Sequence, residues 1–284
     1  MHNPSVNITT PEASTIFTNG SMTLSDILKI FLCSINVLFG VPTNSYVIWL
    51  IVTGTESSII SRFFNLNLSV CEIGNCLNSF LFILLFLSSS LTPVSNFFQG
   101  LGITGRPLFQ CLISVERYLA VVHPVIFLKY KPLRYRVMFS TGAWIICLVS
   151  CFCCIFILVS FDFCFFTLFF LVQYLVFLSI QLFCLTAVLR ALKQSGPGER
   201  GREREEENHM KRRAFHLILI TTVSTLITYG PFTIAGIISI VPNTHMDLMT
   251  VWVSALICYL LAGFVQPVLF LQRAGKLSCL CCSA

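Results

Sequence analysis

The chain reads as an all-α membrane protein, a seven-transmembrane helix bundle, and three observations lead there. Of its 284 residues 56% are hydrophobic and 11% charged, with 27 Phe, whereas a water-soluble domain carries roughly 25% charged residues. Seven apolar stretches each supply the about 20 residues that a helix needs to cross the hydrocarbon layer. Lys and Arg fall almost wholly in alternate connections, the asymmetry expected of a multi-pass protein.

The spans are expected at about 24–52, 59–87, 93–123, 135–160, 163–192, 213–241 and 247–271. All should be helices, because backbone groups in lipid must be paired within their own segment. Arg62 marks the first inner turn. Lys129, Lys131, Arg134 and Arg136 fill the second, Arg190 to Arg213 crowd the third, and Arg273 and Lys276 lie in the tail. The outer turns hold no cation, so residues 1–23 are placed outside the plasma membrane and the C-terminus inside. The net charge of +6 is thus topological and no sign of nucleic-acid binding; the lipid bilayer is the partner that composition demands.

The N-terminal tail is polar, without the basic start and short apolar core of a cleavable signal, and offers the acceptor sequons at Asn7 and Asn19. Asn67-Leu68-Ser69 has the same pattern but lies in a span. The long hydrophilic stretch from Ser195 to Arg213 mixes Glu and Arg and is expected to be a solvated connector, with helical extension into the sixth span through Lys211-Arg212-Arg213. Residues 272–284 should form a short cytoplasmic amphipathic helix and tail, where Cys279, Cys281 and Cys282 are candidate palmitoylation sites. Most of the 14 cysteines lie inside spans as small apolar fillers. No metal site or cofactor is expected, and no phosphate loop or Ser/His/acid set points to an enzyme.

The third span ends in Ile113-Ser114-Val115-Glu116-Arg117-Tyr118-Leu119-Ala120-Val121-Val122-His123-Pro124. Together with Trp144 in the fourth span, this run resembles the Asp/Glu-Arg-Tyr signature of rhodopsin-like (class A) G-protein-coupled receptors. The resemblance covers the whole chain. Asn44 stands at the family's first-span asparagine, Glu72 where Asp is usual in the second, Pro231 at the sixth-span kink with Tyr229 in place of Trp, and Gln266-Pro267-Val268-Leu269-Phe270 against Asn-Pro-x-x-Tyr. The outer cysteine of the third span is missing and the second outer loop is short, so the usual disulfide-linked lid cannot form.

The resemblance implies a receptor passing an extracellular signal to a heterotrimeric G protein through Glu116, Arg117 and Tyr118. Lys211 stands where many relatives place an acid that ties the arginine down, and like charges there should favour basal signalling. A non-signalling decoy or chaperone partner is the alternative; a transporter would want repeated halves or several polar groups along a midplane path.

Arg106 lies 11 residues, three turns, before Arg117, near mid-membrane. Intramembrane charges find partners, and Glu72 is the carboxylate at that depth, so a Glu72–Arg106 pair is expected. In relatives these positions commonly frame a sodium ion, whose place the guanidinium would take; the alternative is that Gly100, Gly102, Gly105 and Pro107 distort the helix and turn Arg106 away. The ligand pocket is expected among Phe98, Gln99, Tyr229, Phe232, Trp252 and Tyr259. Gln99 replaces the Asp of aminergic relatives, and the sixth and seventh spans around Gly236, Leu256 and Leu260 carry no cation to clamp an acid. A small hydrophobic ligand fits that wall.

Overall fold

The computed structural model describes residues 23–54, 62–86, 88–130, 133–159, 163–194, 202–240 and 248–273. Eight principal helices follow one another: α1 Leu24–Val52, α2 Phe63–Leu85, α3 Thr92–Val122, α4 Leu133–Val159, α5 Phe163–Gln194, α6 Arg202–Ile240, α7 Leu248–Gly263 and α8 Val265–Arg273. A single 3-10 turn, Ser89–Leu91, leads into α3, and a short helix, Pro124–Tyr130, follows it.

Chemistry at the ends explains where several helices begin. Thr23 caps α1 by accepting the Asp26 amide at 3.3 Å, satisfying one of the donors that a helix N-terminus leaves free. Pro93 sits at the start of α3, where its missing N–H removes no helical bond. The start of α6 corrects the expectation: the helix begins at Arg202, not near Arg213. Glu, Arg and Lys are good helix formers, and Glu207 precedes Lys211 by the four residues that favour opposite charges on one face. The seventh span is also not continuous. A turn at Phe264 separates α7 from α8, because Pro267 has no N–H to bond the carbonyl four residues earlier, at Gly263. Of the expected amphipathic stretch, Gln272 and Arg273 end α8 and the rest lies outside the described residues.

Six segments are long and apolar enough to cross a bilayer: α1, α2, α4, most of α5, Lys211–Ile238 of α6, and Val253–Phe270 across α7 and α8. Their outer faces are apolar, with Phe31, Leu38, Trp49, Phe152, Phe156 and Phe183 each more than half exposed. Such surface is lipid-facing, since a soluble monomer would not leave it to water. The seventh, α3, owes its position to the other helices. It carries Thr104, Arg106 and Gln110 in its middle, all buried, and α2, α4, α5 and α6 surround it.

Small residues let these helices close on α3. A Cβ at Gly100 would stand 2.6 Å from the Cys151 Cα and 2.8 Å from the Ser150 carbonyl, so backbone meets backbone between α3 and α4. Buried hydrogen bonds add register. Asn36 of α1 donates to Ser79 of α2 at 2.8 Å, and Trp144 of α4 donates to Asn67 of α2 at 2.8 Å. The Thr104 hydroxyl lies between Ser150 Oγ of α4 at 2.5 Å and Gln173 Oε1 of α5 at 2.7 Å. At the basic end, Cys184 and Val188 of α5, Ile218 of α6 and Val115, Tyr118 and Val121 of α3 pack as one apolar cluster.

Candidate functional site

At mid-bundle, α3 remains helical through Gly105, Arg106 and Pro107, so Arg106 points into the core and the alternative of a distorted helix does not arise. Its guanidinium grips Glu72 of α2 by both oxygens, Nε donating to Oε1 at 2.5 Å and Nη2 to Oε2 at 2.6 Å. Nη1 donates to the Tyr259 carbonyl of α7 at 3.1 Å, and the guanidinium carbon lies 4.4 Å from the Tyr259 ring centroid. Arg106 is 2% and Glu72 3% exposed. The arrangement ties three helices through one side chain. A planar fork matches a carboxylate in this way, and its weak hydration suits it to the face of an aromatic ring. Glycine at 263 makes room: a Cβ there would stand 3.0 Å from Arg106 Nη2 and 3.6 Å from Glu72 Oε2.

Those contacts also decide whether the site fits sodium. It does not. Both Glu72 oxygens are taken by the guanidinium, and Oε2 further accepts from Asn75 Nδ2 at 3.4 Å, leaving no free carboxylate for a metal ion.

Above the pair is a cavity of about 380 Å³, within the range of small-molecule sites. Tyr259 belongs to both. Its ring covers Arg106 and lines the cavity. The apolar wall comes from Ile103 of α3, Phe166 and Phe170 of α5, Phe232 of α6, and Leu256 and Leu260 of α7. Phe232 and Tyr259 meet edge to face at 5.6 Å between centroids. Of the expected pocket residues, Gln99, Phe232 and Tyr259 line the cavity, while the side chain of Trp252 lies outside the described residues.

Two of them face elsewhere. Phe98 packs beside Gly74 of α2 and against Phe97, because successive helical residues are about 100° apart and Gln99 holds the inward direction. Tyr229 is 2% exposed and donates its hydroxyl to the Gly102 carbonyl at 3.0 Å. It therefore lies deeper, bordering a separate small void with Pro107 and Tyr174.

The cavity also contains residues that the sequence reading did not single out. Lys29 of α1 and Asn75, Asn78 and Ser79 of α2 line the side opposite the aromatic wall. The sixth and seventh spans supply no cation for an acid; the lysine comes from the first. One signal could have found it. Lys29 is a cation within an apolar helix, at the end of the bundle away from nearly all the other described Lys and Arg, and an intramembrane charge is a functional candidate by default.

At the other end, Glu116 accepts from Arg136 of α4 at 2.7 Å. Arg117 is next along α3, and its Nε is buried without a hydrogen-bond partner among the described residues. The Tyr118 hydroxyl lies 3.1 Å from His123 Nε2. Lys211 stands one turn before Phe215, on the α6 face that meets the apolar cluster of α3 and α5. The helix landmarks are dispersed. Asn44 donates to the Gly40 carbonyl at 2.9 Å, Pro231 lies inside an unbroken α6, and Pro267 is buried beside the break. Phe270 packs on Val47 and Ile51, with the Arg62 guanidinium 5.2 Å from its centroid. The Gln266 side chain, Asn7, Asn19, Cys279, Cys281 and Cys282 lie outside the described residues.

A family model described as 7 transmembrane receptor (rhodopsin family) matches residues 43–270. Human C-C chemokine receptor type 8 is 26% identical over 263 residues, 83% of this chain and 68% of that protein. Mouse leukotriene B4 receptor 1 is 26% identical over 147 residues, 49% of this chain and 41% of the relative. Mouse chemokine XC receptor 1 is 28% identical over 130 residues, 44% and 40% of the two chains. The chain thus spans about two fifths of the length of the latter two. The helix order, the Glu-Arg-Tyr end of α3 and a match over most of the chain agree: this multi-pass membrane protein belongs to the rhodopsin family of seven-transmembrane receptors and is a receptor, not an enzyme.

Proposed function

We propose that this receptor takes a small, largely apolar molecule in the cavity above Glu72 and Arg106. It then engages a heterotrimeric G protein at the opposite end through Glu116, Arg117 and Tyr118, with its N-terminus outside the plasma membrane. One observation carries the reading: Tyr259 is at once a wall of the cavity and the lid over the mid-bundle guanidinium. A ligand that presses on Tyr259 acts on α7, and through Arg106 on α2 and α3. It shifts the resting equilibrium only as far as it binds the signalling state better. The relatives are named for different ligands, chemokines in two cases and leukotriene B4 in another, so it is the cavity of this chain that supports the ligand class. Orientation rests on the inner bias of Lys and Arg.

A second reading, a non-signalling decoy or chaperone partner, draws on Phe270, which holds the end of α8 against α1 under Arg62 and offers no hydroxyl for a switch. The two readings part in a ligand-free panel measuring dissociation of each G-protein class in cells expressing the full chain. Signalling predicts basal dissociation of at least one class, lowered by Lys211→Glu, because an acid on that face of α6 would pair with Arg117 and hold the closed form. No basal coupling to any class, unchanged by the substitution, supports the decoy.

A further inference from the structure

The receptor reading leaves the ligand's chemistry open, and two side chains of the cavity narrow it. Among the described residues, every Lys and Arg but two lies at the basic end of the bundle. Of those two, Arg106 is matched by Glu72. Lys29 is the other. Its ammonium lies 3.5 Å from Asp26 Oδ1, with the side chain 20% exposed. Asp26 is already engaged in the cap of α1, its Oδ2 accepting the Thr23 hydroxyl at 2.6 Å. A lysine has three donors, and one long contact to a capping carboxylate leaves two to face the cavity that Lys29 lines.

The second side chain is Asn75, also in the cavity wall and 4% exposed. Among the described residues its Oδ1 has no hydrogen-bond partner, and leaving a buried acceptor unsatisfied is unfavourable. The orientation of the amide is not arbitrary. Nδ2 faces Glu72 Oε2 at 3.4 Å, and a carboxylate accepts but does not donate, so the oxygen is the atom left over. It calls for a donor.

The helix register separates the two. Asn36, bonded to Ser79 at 2.8 Å, sets the level between α1 and α2. Lys29 lies two turns above it, and Asn75 one turn below Ser79. At about 1.5 Å per residue, their backbones stand roughly 16 Å apart along the bundle. Between them the wall is Ile103, Phe170, Phe232 and Leu260.

From this placement, and resting on the reading of the cavity as the ligand site, we propose that the receptor's ligand is an elongated anionic amphiphile. Its carboxylate or similar singly charged head meets Lys29, its apolar body lies along the aromatic wall, and a hydroxyl or amide N–H deeper in the chain donates to Asn75 Oδ1.

The test uses purified full-length receptor in detergent and a thermal shift as the readout, because a ligand that binds only the folded state raises Tm. The probes are a straight-chain ω-hydroxy carboxylic acid, its methyl ester, the same acid without the hydroxyl, and the matching ω-hydroxy amine. The hydroxy acid should bind roughly tenfold or more tightly than its ester, the size of one charge-assisted hydrogen bond. It should also outrank the plain acid, a comparison that examines Asn75 without a substitution. Lys29→Gln should abolish the preference for acid over ester while leaving the ester's own shift in place. Asp26→Asn, which retains the lysine and removes its competing carboxylate, should enlarge the preference. An ester or amine that binds as well as the acid overturns the proposal. So does an acid preference that survives Lys29→Gln, or a lack of shift with every probe. G-protein coupling plays no part in this readout, so a receptor that fails to couple still tests the anion assignment, and a neutral-ligand preference leaves coupling untouched.

Discussion

Two glutamate–arginine pairs brace α3, and they differ in how many partners compete for the carboxylate. At mid-bundle Glu72 meets Arg106 through two short bonds, and the same guanidinium bonds the Tyr259 carbonyl and faces its ring. At the basic end Glu116 accepts one bond from Arg136, while Arg117, its neighbour in sequence, keeps a buried Nε without a partner among the described residues. One anion with one cation, fully bonded and far from water, has a single arrangement. One anion between two cations has more than one, and the polar side chains of Arg134 and His123 are exposed at that end of the bundle. The first pair is therefore expected to hold, and the second to exchange.

The sharpest way to break that contrast is to remove one member of the inner pair. Arg106→Gln or Glu72→Gln should destabilise the receptor by about 3–5 kcal/mol, since each strands a buried charge. Surface expression and detergent Tm should both fall. The double substitution should recover part of the loss, and sodium should stabilise the unaltered receptor no more than potassium at equal ionic strength. Additive damage, or a clear sodium effect, would show that the two side chains do not act as a unit.

A smaller loss is expected at the ring. Tyr259→Leu removes the aromatic face from a desolvated guanidinium, a change of about 1–2 kcal/mol, whereas Tyr259→Phe retains the ring and should keep most of the thermal stability. Equal losses in the two variants would assign the effect to the hydroxyl instead. The smallest effect should be at the pair of the basic end. Arg136→Gln should lower stability by about 1 kcal/mol, because Glu116 can turn to Arg117, and the readout that moves should be basal G-protein dissociation. A loss matching that of Arg106→Gln would erase the distinction between the two pairs.

Why some of this was legible beforehand is a matter of solvent. Lipid imposes one rule on every span, so helices of about 20 residues could be placed from composition alone. The Glu72–Arg106 pairing was inferable because a charge in lipid needs a partner and one carboxylate lay at the right depth. Rotation was harder. Phe98 and Gln99 are adjacent in sequence, yet one packs beside Gly74 and the other lines the cavity, and nothing in an apolar run distinguishes them. The start of α6 is ambiguous in sequence because a charged stretch suits a solvated loop, although its residues also favour helix. Lys29 is not legible as a ligand contact from the sixth and seventh spans, because the cavity reaches across the bundle to α1.

The attachment of Arg106 to α3 has a consequence in mass action. A diffusible ion fills its site in proportion to its concentration, so a population of molecules is always a mixture of filled and empty. A cation carried by the chain is present once per molecule, whatever the composition of the fluid on either side of the membrane. At this site every copy of the receptor then starts from the same internal charge state.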